Sequence, residues 1–164
     1  MPTKAPDSAE GPTQTVRWLT PDEQASWRSW LSAVTLLTDQ LNRDLVAQQG
    51  LTGMDYEILV RLSEAPDRRI RMSDLAELAL SSRSRLSHQI DRMEAAGLVQ
   101  RESCANDRRG AFAVLTDRGW DRLVEAAPDH VMSVRRHLVD VLTPEEFDAL
   151  GHACRKIADG LQGR

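Results

Sequence analysis

The sequence predicts a mainly α-helical fold that carries one small β-hairpin. Three observations predict it. Two capping signatures of the same form, Thr20-Pro21-Asp22-Glu23 and Thr143-Pro144-Glu145-Glu146, open apolar-periodic runs near the two ends. A helical segment with a basic outer face, Arg83 to Ala96, lies between them. Two strand-like runs follow that segment at once, around the charged turn Asn106-Asp107-Arg108-Arg109-Gly110.

The chain has 164 residues, 41% of them hydrophobic, which suits one domain with a real core. No apolar run approaches the ~18 residues of a membrane span. Met1 to Thr15 lacks the apolar centre of a secretory signal and is rich in Pro, Ser, Thr and Gly, so residues 1–17 read as a disordered tail. Cys104 and Cys154 form neither a CxxC nor a metal-type pair, and a reduced, cytoplasmic chain is the simple reading.

The first helix is expected from Thr20 to Gln48, with Trp27, Leu31, Val34, Leu41 and Leu45 at helical spacing and Gly50 as its stop. At about 40 Å it is long for one small domain, and a partner helix from a second subunit accounts for that length. A second helix covers Met54 to Glu64 and is broken by Pro66-Asp67. Ser73 is expected to cap a short third helix, Asp74 to Leu80, and Ser82 a fourth, which Gly97 ends. Strands follow at Leu98 to Ala105 and Ala111 to Leu115. Thr116 then caps a fifth helix that Pro128 kinks or breaks. The last helix carries Phe147, Leu150, Cys154, Ile157 and Leu161, a heptad seam. The terminal helices are too apolar to stand alone, so two copies are expected to interdigitate as a homodimer.

The formal net charge of −4 argues at first against nucleic acid, but its distribution does not. Residues 68–109 hold nine arginines against six carboxylates, a net +3, which leaves −7 on the remainder. The fourth helix buries Leu86, Ile90 and Met93. Its other face shows Arg83, Ser84, Arg85, Ser87, His88, Gln89, Asp91 and Arg92, with no carboxylate before Asp91. Arg can take two acceptors on a guanine edge, Gln can pair with adenine, and Ser and His can bond bases or phosphates. The helix N-terminus, capped by Ser82, also favours a phosphate. An ordinary solvated helix face is the plainer reading, but such faces usually mix both charges along their length. The hairpin tip adds Arg108 and Arg109 on a narrow ribbon that suits a minor groove, with Asp107 able to hold an arginine by a charge-assisted bond. Taken singly, that tip is also a plain polar turn.

The stretch Met72-Ser73-Asp74-Leu75-Ala76, then SSRSRLSHQIDRMEAAGLVQR, then NDRRGAFAVLTDRG, resembles the MarR family. The family's wing motif of Asp, any residue, Arg and, after five more residues, Leu-Thr is matched by Asp107, Arg109, Leu115 and Thr116. The resemblance implies a winged helix-turn-helix dimer that binds double-stranded DNA, with the fourth helix in a major groove and the wing in the adjoining minor groove. On that analogy Arg109 probes the minor groove and Asp107 positions it. Ser82, Arg83, Ser84, Arg85, Ser87, His88, Gln89 and Arg108 belong to the DNA-reading set. Arg92 is placed to reach a phosphate or to pair with Asp91 or Asp107. The chain divides into a dimerisation helix (18–50), a DNA-binding domain (51–116) and C-terminal dimerisation helices (117–164). A pseudo-palindromic operator is implied, and so is a repressor released by a small aromatic or phenolic effector. His88 stands where a permanently charged residue is frequent in the family, so a phosphate contact there would depend on pH.

For such an effector, Trp18, Trp27, Trp30 and Tyr56 supply aromatic surface and Asp44 a polar anchor. Trp27 and Trp30 also lie on the apolar stripe, where they read first as packing residues. Cys104, on the wing strand, offers a redox alternative, though it reads more simply as a passive small residue. His130, His137 and His152 match no closed metal site, so neither metal nor cofactor is expected. A protein-interaction module that uses the helical ends is a further alternative. No nucleophile–base pair or Gly-rich phosphate loop suggests an enzyme.

Overall fold

The computed structural model describes residues 16–104 and 107–163, so most of the expected tail, residues 1–15, lies outside the described residues. Six helices and a three-stranded sheet follow in the order α1 (Pro21–Gln49), α2 (Gly53–Glu64), β1 (Arg69–Arg71), α3 (Met72–Leu78), α4 (Arg83–Ala95), β2 (Val99–Cys104), β3 (Asp107–Leu115), α5 (Asp117–His137) and α6 (Pro144–Gln162). The chain forms two compact units, one ending at Thr35 and the other running from Leu36 to Arg164.

Both capping boxes form as the sequence predicts. Glu23 accepts from the Thr20 N–H at 2.8 Å and Glu146 from the Thr143 N–H at 2.8 Å, while each threonine hydroxyl accepts the returning N–H at 3.2 Å. Thr52 and Asp55 build a third box at the start of α2. Gly50 and Gly97, at φ +62° and +73°, stop α1 and α4 in the left-handed region that glycine enters without steric cost.

The core lies in the second unit. Ile58, Leu59 and Leu62 of α2, Leu75 of α3, Leu86, Ile90 and Met93 of α4, Val99 of β2 and Ala113 of β3 are all essentially inaccessible to solvent. Leu123 and Ala126 of α5 close it. At about 25 cal/mol per Å² of apolar surface, each large side chain here contributes roughly 1.5–3 kcal/mol.

Four expectations need correction. Ser73 caps nothing: α3 begins at Met72 behind Arg71, and the Ser73 hydroxyl donates to Asp74 at 2.8 Å. The cause is β1, which the sequence reading missed. Arg71 pairs with Phe112, so the backbone stays extended until Arg71. α3 also ends early, at Leu78, because Leu80 turns left-handed at φ +46°. Pro128 does not break α5, which runs through it from Asp117 to His137. Burial of Leu123, Ala126 and Ser133 on either side offsets the lost backbone bond. Finally, the expected turn 106–110 is shorter. β3 starts at Asp107, opposite Cys104, and the connecting residues 105–106 lie outside the described residues.

The sheet order is β1-β3-β2, antiparallel throughout, with a register irregularity between Ser103 and Cys104. The seam of α6 is open on the single chain: Phe147, Cys154, Ile157 and Leu161 are exposed. On α5, Val131 and Met132 are each 54% exposed. No helix among the described residues is long and apolar enough to cross a membrane.

Candidate nucleic-acid interface

α4 is built to present one face. Ser82 caps it by accepting the Arg85 N–H at 3.2 Å, and its first turn contains no acid. With Leu86, Ile90 and Met93 sunk in the core, Arg83, Ser84, Arg85, His88, Asp91 and Arg92 stand exposed on the opposite side. Ser87 and Gln89 occupy the half-buried flanks. The N-terminal two turns are therefore a cluster of donors at the positive end of a helix dipole. His88 Nδ1 lies 3.9 Å from an Asp91 carboxylate oxygen.

Arg101, which the sequence reading did not single out, straps β2 to α4. Its guanidinium bonds Glu94 at 2.6 Å, Asp91 at 2.7 Å and the Ser87 carbonyl at 3.1 Å, and its backbone N–H donates to Glu94 at 2.9 Å. Asp91 is thereby engaged by Arg101, whereas the sequence suggested it as a partner for Arg92. Arg92 instead donates to the Gln89 side-chain oxygen at 2.5 Å. No local spacing signals Arg101. Its partners lie seven to fourteen residues away and meet it only through the strand-to-helix packing.

The wing rests on its neighbours in the same way. Arg69 lies over the Phe112 ring at 4.0 Å and 3.6 Å from Glu102, with Arg71 at 5.4 Å from the same ring. Thr116 gives the Leu-Thr element of the motif a physical role. Its hydroxyl donates toward the Gly97 and Leu98 carbonyls at 2.7 and 3.0 Å and accepts the Gly119 N–H at 3.0 Å, tying the hairpin's ends to the start of α5. Asp107, Arg108 and Arg109 have their backbone in β3, and their side chains lie outside what the structure describes. A groove of about 440 Å³ separates α3 and α4 from the wing, lined by Arg71, Ser73, Arg83, Ser87, Arg101 and Gly110. Arg71 and Ser73 are thus interface candidates that depend on β1.

The proposed effector residues divide between the two units. In the first, Trp18 is 81% exposed, and Trp27 and Trp30 stack at 5.2 Å with 25° between their planes. In the second, Asp44 accepts from Ser133 at 2.5 Å and from Gln40 at 2.7 Å, and lies 3.2 Å from His137 Nε2. The Ser133 bond, helped by Gln40 and His137 and opposed by partial desolvation, holds the Asp44 carboxyl below its ordinary range. Tyr56 packs on His130, and burial raises its phenol above its usual pKa. No group of three His, Cys, Asp or Glu suited to a metal occurs among the described residues.

Residues 49–110 match the MarR family model. The chain is 54% identical to AbsC, a MarR family transcriptional regulator from Streptomyces coelicolor, with a TM-score of 0.82 over 91% of this chain and 100% of that one. It is 49% identical to a second Streptomyces coelicolor MarR family regulator, solved in complex with DNA, with a TM-score of 0.83 over 89% and 92% of the two chains. The HTH-type transcriptional regulator PecS of Dickeya dadantii (strain 3937) is 30% identical over 116 residues, 70% of this chain and 67% of PecS. By these matches the chain belongs to the MarR family of transcriptional regulators.

Proposed function

We infer that the protein is a sequence-specific DNA-binding transcriptional regulator that acts as a homodimeric repressor on a pseudo-palindromic operator. The observation that carries this reading is the face of α4. Arg83, Ser84, Arg85 and His88 are exposed together at the capped N-terminus of a helix whose other side is locked in the core. Such a helix fits a major groove, and each arginine can take the two acceptors of a guanine. The strand position of Arg109, beyond the Phe112 anchor, supports its reading as the minor-groove probe. The open apolar seam of α6 and the exposed valines of α5 support dimerisation through the C-terminal helices. The reading includes release by a small aromatic or phenolic effector, for which Tyr56 and Asp44 supply ring and carboxylate.

The test is a gel shift on the DNA immediately upstream of the protein's own gene, at fixed salt with excess non-specific competitor. The expected result is a competitor-resistant shift at two chains per site, abolished by Arg109→Ala and weakened by Arg85→Ala. A shift that survives both substitutions unchanged overturns the assignment of helix and wing. Sedimentation of the free protein as a monomer overturns the dimer.

A further inference from the structure

Gln89 lies on the recognition helix but is turned away from the face that its neighbours present. Its side-chain N–H donates to Asp55, and its side-chain oxygen accepts from Arg92 at 2.5 Å. Asp55 is buried, at 9% exposure. Its second carboxylate oxygen accepts the Thr52 N–H at 2.9 Å and the Thr52 hydroxyl at 2.6 Å. One residue on, the Gly53 N–H donates to Asn42 of α1 at 2.9 Å. A continuous set of hydrogen bonds therefore runs from the capping box that starts α2, through Gln89, to the exposed guanidinium of Arg92.

Both ends of the Gln89 amide are engaged, one by a buried carboxylate and one by a cation. Pairing with adenine requires the same donor and acceptor together. To read a base, Gln89 would have to leave the Asp55 carboxylate short of a donor in a buried place, which is costly. Holding Arg92 asks nothing of that kind, because the amide oxygen faces outward from the tether.

We propose that Gln89 is a positioning residue, not a base reader. It fixes the seat of α4 on the α2 cap and aims Arg92 at a phosphate, so that Asp55, which cannot itself reach DNA, helps set the affinity for the operator. The proposal rests on the DNA-binding reading given above, and wild-type binding to the operator serves as its control.

The experiment measures operator binding against salt concentration for the full-length wild type, Gln89→Ala, Arg92→Ala, the double variant and Asp55→Asn, with thermal melts alongside. A cation that neutralises one phosphate contributes about one to the slope of log K against log salt. Arg92→Ala is expected to lower the slope by about one. Gln89→Ala and Asp55→Asn are expected to lower it in the same direction, the double variant is expected to lose no more than Arg92→Ala alone, and preference at every operator base should be unchanged. Asp55→Asn, which keeps an acceptor for the Thr52 cap, stands in if Gln89→Ala melts too low to assay. Loss of discrimination at one base pair with the slope intact makes Gln89 a reader and overturns the proposal. Additive losses in the double variant, or an unchanged slope in Arg92→Ala, also overturn it. Absence of wild-type binding would instead count against the DNA-binding reading itself.

Discussion

Tyr56 of α2 and His130 of α5 lie ring against ring, with centroids 4.4 Å apart and planes tilted by 42°. The His130 Nδ1 is buried and has no hydrogen-bond partner among the described residues. Desolvation disfavours the imidazolium, so burial holds the His130 pKa below its ordinary 6.5. The unfolded chain then binds the proton first as pH falls, and stability is lost from about the ordinary value downward until the folded form also protonates. Melting temperature should fall between pH 7 and pH 5, and His130→Phe should remove part of that fall. Equal pH dependence in the wild type and the Phe variant would refute the assignment.

Gly119 sits in the first turn of α5 under the hairpin's ends. A Cβ there would lie 2.0 Å from the Leu98 carbonyl oxygen and 2.7 Å from a Leu115 methyl. The first neighbour is backbone and cannot swing aside. Gly119→Ala should therefore cost about 3 kcal/mol, at the upper end of ordinary overpacking, read as a drop in the urea midpoint at unchanged slope.

Arg101 joins β2 to α4 through three acceptors, and its side chain is 26% exposed. Arg101→Ala leaves Asp91 and Glu94 adjacent without their shared cation. A loss of about 1–2 kcal/mol is expected, reduced from a buried network by solvent screening. Arg101→Lys should recover only part of it, because an ammonium cannot span the three acceptors as the guanidinium fork does. Denaturant titration of the two variants decides this.

Leu80 lies two residues beyond the end of α3 with a left-handed backbone, φ +46°, and is 96% exposed. The Ser81 N–H returns to the Ala76 carbonyl at 2.9 Å, the bond pattern that glycine usually serves. Leu80→Gly removes the Cβ strain and sacrifices no buried surface, so it should raise stability by about 1 kcal/mol. A lower melting temperature for the glycine variant would show that this leucine contributes contacts the exposure does not reveal.

Local signals in the sequence carry a good deal of this protein. Capping boxes at Thr20 and Thr143, caps at Ser82 and Thr116, and stops at Gly50 and Gly97 depend on a few consecutive residues, and each forms where expected. The inward stripe Leu86, Ile90 and Met93, and hence the outward face of α4, follows from helical period alone. Tertiary structure decided the rest. β1 is three residues long and exists only because β3 pairs with it, and that pairing moved the start of α3 and left Ser73 without a cap to make. α5 continues through Pro128 because burial on both sides outweighs one missing backbone bond. Gln89 looked like its exposed neighbours until α2 brought the Asp55 carboxylate against it, 34 residues away in the chain. Hydrogen bonds of long sequence separation have no local pattern to read, since their partners are chosen by packing and not by spacing.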